Sequence, residues 1–321
     1  GLQAFSTLCQ SVDFVNILNG LPERAGRFFC APNVFLRGCN LLRRQCALQV
    51  KGHAAAPYHI REGKEMNDIH GTLRAAESGD TGAMLELSEH YFLAEPSDIE
   101  NAQKWADAAA EAGVVGGYLI SMRLHALTAR AGEAMKFCEL AIDEWRIVLS
   151  RAERLTQALR EGLKLSEEQR RGVFGALDDA RYGIARSEYY KSDASEAACG
   201  EIIASLRDVQ TAKARMLCGV CSAHRGEYPA AYRSISEALR DGDYAASQKE
   251  IGEEGIYTEA VADLAAFYRA GLPGVVERDL DAAVRTLTNG CKTVRDEDLL
   301  GHLRSELARY QKKLFGGYKY V

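Results

Sequence analysis

The sequence predicts an all-α fold: an α-solenoid (α/α superhelix) of stacked helix pairs, with a less regular N-terminal extension. Three observations carry this. Hydrophobic residues make up 47% of the 321 positions, prolines number only six, and long stretches rich in Ala, Leu, Glu and Arg favour helix. A hydrophobic period of 3.6 residues begins near Met66 and continues almost to the C-terminus. Within it, short helices alternate large and small residues on one face, so each pair needs neighbours above and below to complete its core. A chain of this length exceeds one typical core, and a repeat array meets that limit without a single large one.

Residues 1–65 differ in character. They hold four of the nine cysteines and three of the six prolines, with no sustained helical period. They are expected to be an extension outside the main fold, non-native or irregular, with Met66 as a natural initiator and Asn67 or Asp68 capping the first helix. The codons for Glu62 to Glu65 would be purine-rich, as a bacterial ribosome-binding site is. This segment also carries eight Lys or Arg against four Asp or Glu, which leaves 32 basic and 41 acidic residues in the body. A body near −9 lacks the basic footprint that phosphate neutralisation requires, so nucleic acid is not an expected partner.

The body opens with "GAMLELSEHYFLAEPSDIENAQKWADAAAEAG" (82–113). Ala83, Leu87, Ser88 and Tyr91 share one helix face, and Asp98, Ala102, Trp105, Ala109 and Gly113 follow in a second helix. These residues resemble the Sel1-like repeat, a relative of the tetratricopeptide repeat. A second match lies in "AVADLAAFYRAGLPGVVERDLDAAVRTLTNG" (260–290), through Ala260, Leu264, Ala265, Tyr268, Gly271, Val276, Asp279 and Ala282. Between them, "ARMLCGVCSAHRGEYPAAYRSISEAL" (214–239) resembles an ordinary tetratricopeptide unit: Gly219 would let two helices approach closely, and Ala231 would fit the closest contact.

Taking the small residue of each first helix as a marker gives Ser88, Met122, Gly183, Gly219, Ala265 and Gly301, at steps of 34, 61, 36, 46 and 36 residues. Three steps lie close to a 34-residue period and two imply insertions. The largest falls where a second helix runs on through "IDEWRIVLSRAERLTQALREG", ends at Gly162, and is followed by a capping box from Ser166 to Gln169. That pattern predicts a long helical hairpin over about 133–192, projecting from the array. A last helix around 297–313 would cap the stack before a tail, 316–321, so the repeat domain spans 66–315.

Several stretches that suggest chemistry have plainer readings. "FLRGCNLLRRQC" (35–46) looks like the CxxxCxxC iron–sulfur loop of radical enzymes, but Arg43 stands where a cysteine ligand is required and no barrel follows. Cys30, Cys39, Cys46 and His53 lack the tight knuckle spacing of structural zinc sites and read as free thiols and an ordinary imidazole. "CGVC" (218–221) lies inside a helix, not at a helix start after a strand, and reads as packing. The seven histidines form no HxxxH or HExxH pair; His90 and His125 sit in comparable helices and could be neighbours. The acidic stretches "DEDLL" (296–300) and "EIGEEG" (250–255) read as helix-start charge and a solvated loop. Trp105 and Trp145 are packing anchors, with part of Trp145 open on the hairpin.

No catalytic, cofactor-binding or metal-binding residue is assigned, and an enzyme is not expected. The resemblance to Sel1-like and tetratricopeptide arrays implies an adaptor that holds a peptide or helix of a partner protein in a concave groove. In that register the groove-facing residues are Leu85, Glu89 and Phe92; Lys213, Met216, Val220 and Ala223; and Glu259, Ala262, Ala266 and Arg269. The alternative is a structural module that self-associates through the long hairpin. No apolar run reaches a membrane-spanning length, and nine irregularly spaced cysteines suit a reducing compartment, so the cytoplasm is expected and a membrane partner is not.

Overall fold

The computed structural model describes residues 69–94, 97–241, 244, 253–313 and 316–321. The expectations for residues 1–65, including the cysteines at 30, 39 and 46, and for the cap at 67 or 68 lie outside the described residues. Twelve helices and one short hairpin of strands make up the rest, so the all-α class holds. The chain divides into two compact units, with the boundary between Ala180 and Arg181. That boundary falls inside a helix that the sequence assigns to the long hairpin.

The first unit contains α1 (Ile69–Glu77), α2 (Thr81–Leu93), α3 (Ile99–Glu111), α4 (Val115–Ala134), α5 (Cys138–Arg160) and the first half of α6 (Glu167–Lys191). From α1 to α5, each helix packs on the next. Asp80 caps α2 by accepting from the backbone N–H groups of Gly82 and Ala83 at 2.8 and 3.0 Å, and Asp98 caps α3 through Asn101 N–H at 3.0 Å. Gly113 ends α3 in the left-handed region (φ +83°), where a side chain would be strained. The apolar face expected from 82–113 is buried: Leu87, Ala102, Ala106 and Trp105 form its core, and the Ser88 hydroxyl donates to the Ala102 carbonyl at 2.8 Å. Trp145 is also buried, with its indole N–H donating to Glu133 at 2.9 Å, so the expected exposure of Trp145 is not found.

A connection that turns at Gly162 (φ +106°) separates the two long helices, α5 and α6. The capping box is formed as read: Ser166 N–H donates to Gln169 Oε1 at 3.0 Å and Gln169 N–H to Ser166 Oγ at 3.1 Å.

The second unit contains the last turns of α6, then α7 (Glu196–Ser205), α8 (Ala212–His224), α9 (Tyr228–Arg240), α10 (Glu253–Ala270), α11 (Leu280–Thr293) and α12 (Glu297–Ala308). Helix α8 packs against α7, α9 and α10; α10 packs against α9, α11 and α12. At the α8–α9 crossing a Cβ on Gly219 would lie 2.7 Å from Ile235 Cγ1 and 3.1 Å from Ile235 N, and Ala231 is fully buried. The close approach foreseen for this pair is therefore present. Thr211, Asp279 and Asp296 cap α8, α11 and α12, which makes the "DEDLL" charge a helix start as expected.

The last helix stops at Ala308, not near 313. Tyr310–Lys312 (β1) and Tyr318–Tyr320 (β2) pair as an antiparallel hairpin, with Tyr310 opposite Tyr320, so the segment read as tail is structured. Alternating aromatic and polar residues around Gly316 and Gly317, both at positive φ, favour a reversal over further helix.

Candidate functional site

On α10, residues spaced at three and four share a face: Glu259, Ala262, Asp263, Ala266 and Arg269. From Ala262 onward this face borders a cavity of ≈ 240 Å³, completed by Ala265 and Leu287 and by His302, Glu306, Arg309 and Tyr310 from α12 and β1. Three of the sequence-derived groove residues, Ala262, Ala266 and Arg269, are thus brought together. The alanines leave room that larger side chains would fill.

The two ends of the stripe differ in charge. Arg269 lies 3.9 Å from Glu306 and stacks on the Tyr320 ring at 4.4 Å; Arg309 donates to Glu306 and to the Tyr320 hydroxyl, both at 2.9 Å. These guanidiniums are engaged with the C-terminal hairpin. At the other end Tyr189 from α6 donates to Glu259 at 2.5 Å, and His224 Nε2 on α8 sits 3.2 Å from the same carboxylate. Burial, with Glu259 beside it, raises the Tyr189 phenol well above its ordinary pKa, so it stays a donor. Asp263 lies between the two ends and accepts no hydrogen bond among the described residues. Burial pushes its carboxyl up to about 6, against the pull of His224 and with the repulsion of Glu259.

The α8 contribution needs correction. Met216 and Val220 are fully buried in the core, not on an open face, because α8 is covered by α7, α9 and α10 together. Charging them would break the core and test no docking surface. Ala223 is half-buried against the same core, and Lys213 is half-buried with its ammonium 6.0 Å from the Tyr182 ring. In the first unit Glu89 is exposed, while Leu85 and Phe92 are half-buried against α4: a Cβ on Gly116 would meet Leu85 at 3.3 Å, and Arg123 lies over Phe92 at 6.0 Å.

Two buried polar clusters were not visible in the sequence. In the first unit His125 on α4 is held between Asp107 on α3, 3.0 Å from Nε2, and Glu144 on α5, 2.6 Å from Nδ1. Ser121 donates to Asp107 at 2.5 Å, and Gln103 donates to Thr128 at 3.0 Å beside the ring. Burial alone would lower the His125 pKa; the hydrogen bonds and charges of the two carboxylates outweigh it and lift it to about 9. Burial alone would raise Asp107, but His125, Ser121 and Arg151 hold it below the usual carboxylate range. Both ring nitrogens are thereby occupied, so His125 does not turn to His90. The carboxylates sit on opposite sides of the ring and share no point at which a metal could bind, and no such convergence is found among the described residues.

In the second unit Glu253 is fully buried, bonded to the guanidinium of Arg186 and accepting from Tyr182 at 2.8 and 2.9 Å. Neighbouring Glu254 accepts from the N–H groups of Arg295 and Asp296 at 3.2 and 2.9 Å. The second half of "EIGEEG" is therefore helix and core, not a solvated loop. The sequence offered no motif for either cluster, since the partners lie 18, 19 and 67 residues apart. Asp263 was within reach: it stands one helical turn after Glu259 on a stripe already identified.

The "CGVC" cysteines behave as packing groups. Burial raises Cys218 to about 11 and Cys221 well above its ordinary value. No helix among the described residues is long and apolar enough to cross a membrane. Neither the known protein families nor curated protein sequences give a match to this chain.

Proposed function

We propose that this chain is a helical-repeat scaffold of the Sel1-like or tetratricopeptide-like kind, which holds a peptide or helix of a partner protein. Its docking surface is the face of α10 that opens toward α12. One observation supports this most directly: a stripe of small residues, Ala262 and Ala266, borders a cavity of ≈ 240 Å³ and is bracketed by acidic and basic side chains. Met216 and Val220, by contrast, lie on a helix face that neighbours close. The pairing of α8 with α9 and of α10 with α11, with α8, α10 and α12 as successive neighbours, is the order that stacked helix pairs would adopt. Such a surface binds with little ordering cost, because the helices are already fixed by folding.

The test is a peptide library displayed on phage and panned against the full chain and against Ala266→Trp, which fills the cavity. A Leu93→Trp variant serves as control, because Leu93 is exposed in the other unit. Peptides that bind the wild type and the control but lose at least about tenfold on Ala266→Trp, roughly 1.4 kcal/mol, support the proposal. Peptides that bind all three equally, or no enrichment on the wild type, contradict it.

A further inference from the structure

Three clusters of charged groups stand out among the described residues, and two are internally satisfied. His125 is matched by Asp107 and Glu144, and Arg186 by Glu253. The third is not. Asp263 lines the cavity beside α10 with no hydrogen bond or ion pair among the described residues, while both guanidiniums in the lining are already bound to Glu306 and the Tyr320 ring or hydroxyl.

We infer that this cavity receives a basic side chain, the ammonium of a lysine or the guanidinium of an arginine projecting from a bound peptide, with Asp263 as its counter-charge. The inference rests on the scaffold reading and specifies what the scaffold recognises. A half-buried carboxylate costs free energy unless a cation or donors compensate it; among the described residues Asp263 has no hydrogen bond or ion pair, and the more distant pull of His224 does not offset its burial. Burial raises its pKa, Glu259 adds to the rise, and His224 opposes it. The floor suits the rest of such a side chain: Ala262, Ala265, Ala266 and Leu287 offer apolar surface along which a methylene stem packs while its charged end reaches a carboxylate. Glu259, one turn before Asp263 on the same face, adds negative potential at that end.

The titratable and charged groups around Asp263 are Glu259 and Arg269 of α10, His224 of α8, His302 and Glu306 of α12, Arg309 just after it, and Tyr310 of β1. Protonation of either histidine would oppose a cation, as would protonation of Asp263. The pH arm of the test is therefore read against a variant that lacks the carboxylate.

The probe is n-butylammonium chloride, titrated into the full chain carrying ¹³C-labelled alanine methyls, at constant ionic strength. At pH 7.5 the Ala262 and Ala266 methyls are expected to shift along a saturable curve. At pH 5 only about a tenth of a carboxyl with a pKa near 6 is ionised, so the apparent affinity is expected to fall roughly tenfold. In Asp263→Asn, which preserves shape and whose fold is checked by circular dichroism, saturation and its pH dependence should both disappear. Butanol and sodium butyrate should give no saturable shift. Equal titration of Asp263→Asn, saturation by butyrate in place of butylammonium, or no saturation at all would overturn the proposal.

The two proposals fail separately. Selected peptides that depend on the open cavity but tolerate replacement of every Lys and Arg would keep the scaffold and overturn the basic-side-chain site. Butylammonium binding that depends on Asp263, with no peptide selected from the library, would support the site and contradict the scaffold.

Discussion

Replacing His125 by Gln should remove a pH-dependent share of the first unit's stability. In the folded chain the imidazole is protonated up to about pH 9, because Asp107 and Glu144 bind its two nitrogens; in the unfolded chain it titrates near 6.5. A folded pKa above the unfolded one stabilises fully below pH 6.5, and the contribution is lost as pH rises through 9. A shift from 6.5 to about 9 corresponds to about 3 kcal/mol in acid and about 2–3 kcal/mol at pH 7, falling to near zero at pH 10. Little discount for solvent applies, since the side chain of His125 is 6% exposed and that of Glu144 16%. The assay is convenient because both tryptophans, Trp105 and Trp145, are buried in the first unit. Urea unfolding followed by tryptophan fluorescence at pH 7, 8, 9 and 10 therefore reports that unit. Wild type should lose about 2–3 kcal/mol more than His125→Gln across this range. Parallel curves for the two proteins would refute the charged clamp and leave His125 an ordinary packed imidazole.

Other consequences follow from close contacts and burial. A Cβ at Gly117 would lie 2.4 Å from Ala110 N and 2.6 Å from Ala109 C, both backbone atoms, so Gly117→Ala should cost about 1–3 kcal/mol in the same fluorescence assay. Glu253→Leu leaves Arg186 buried without its carboxylate and should cost about 3–5 kcal/mol, read by hydrogen exchange of α10 amides; wild-type protection would contradict the buried pair. With its pKa near 11, Cys218 should react with iodoacetamide at pH 8 roughly a hundredfold more slowly in the native than in the denatured chain, Cys221 more slowly still. Labelling of both at the denatured rate, followed by mass spectrometry, would show that they are not held as packing groups.

What could be read in the sequence was what local chemistry determines. The Ser166–Gln169 capping box, the stop at Gly162 and the close approach at Gly219 each depend on a few residues whose types permit one geometry. The helix faces of α2 and α3 were legible because one side of each is wet. Helix α8 failed the same reasoning: eight of its thirteen residues are buried, so its pattern marks no single inner face, and Met216 and Val220 were placed outward. The His125 and Glu253 clusters were invisible for another reason. They join residues on different helices, and no spacing rule links Asp107 to His125 or Arg186 to Glu253. The C-terminal strands were missed because "YQKKLFGGYKYV" follows directly on a helix, and its alternation is short enough to read as a tail.

On α10 the sequence reached three of the ten residues that line the candidate site. The register of the resembled repeats pointed to Ala262, Ala266 and Arg269, whereas His302, Glu306 and Arg309 join them only through the packing of α12 against α10. Asp263, the residue on which the proposed recognition turns, was passed over because it was not among the positions that the repeat register placed on the groove.

The most direct measurement of the central claim is the footprint of a library-selected peptide on the alanine-methyl spectrum of the full chain. The expected result is a set of shifts centred on Ala262, Ala265 and Ala266 and lost in Ala266→Trp. Shifts centred on alanines of the first unit, such as Ala83 or Ala129, with the α10 methyls unmoved, would contradict it.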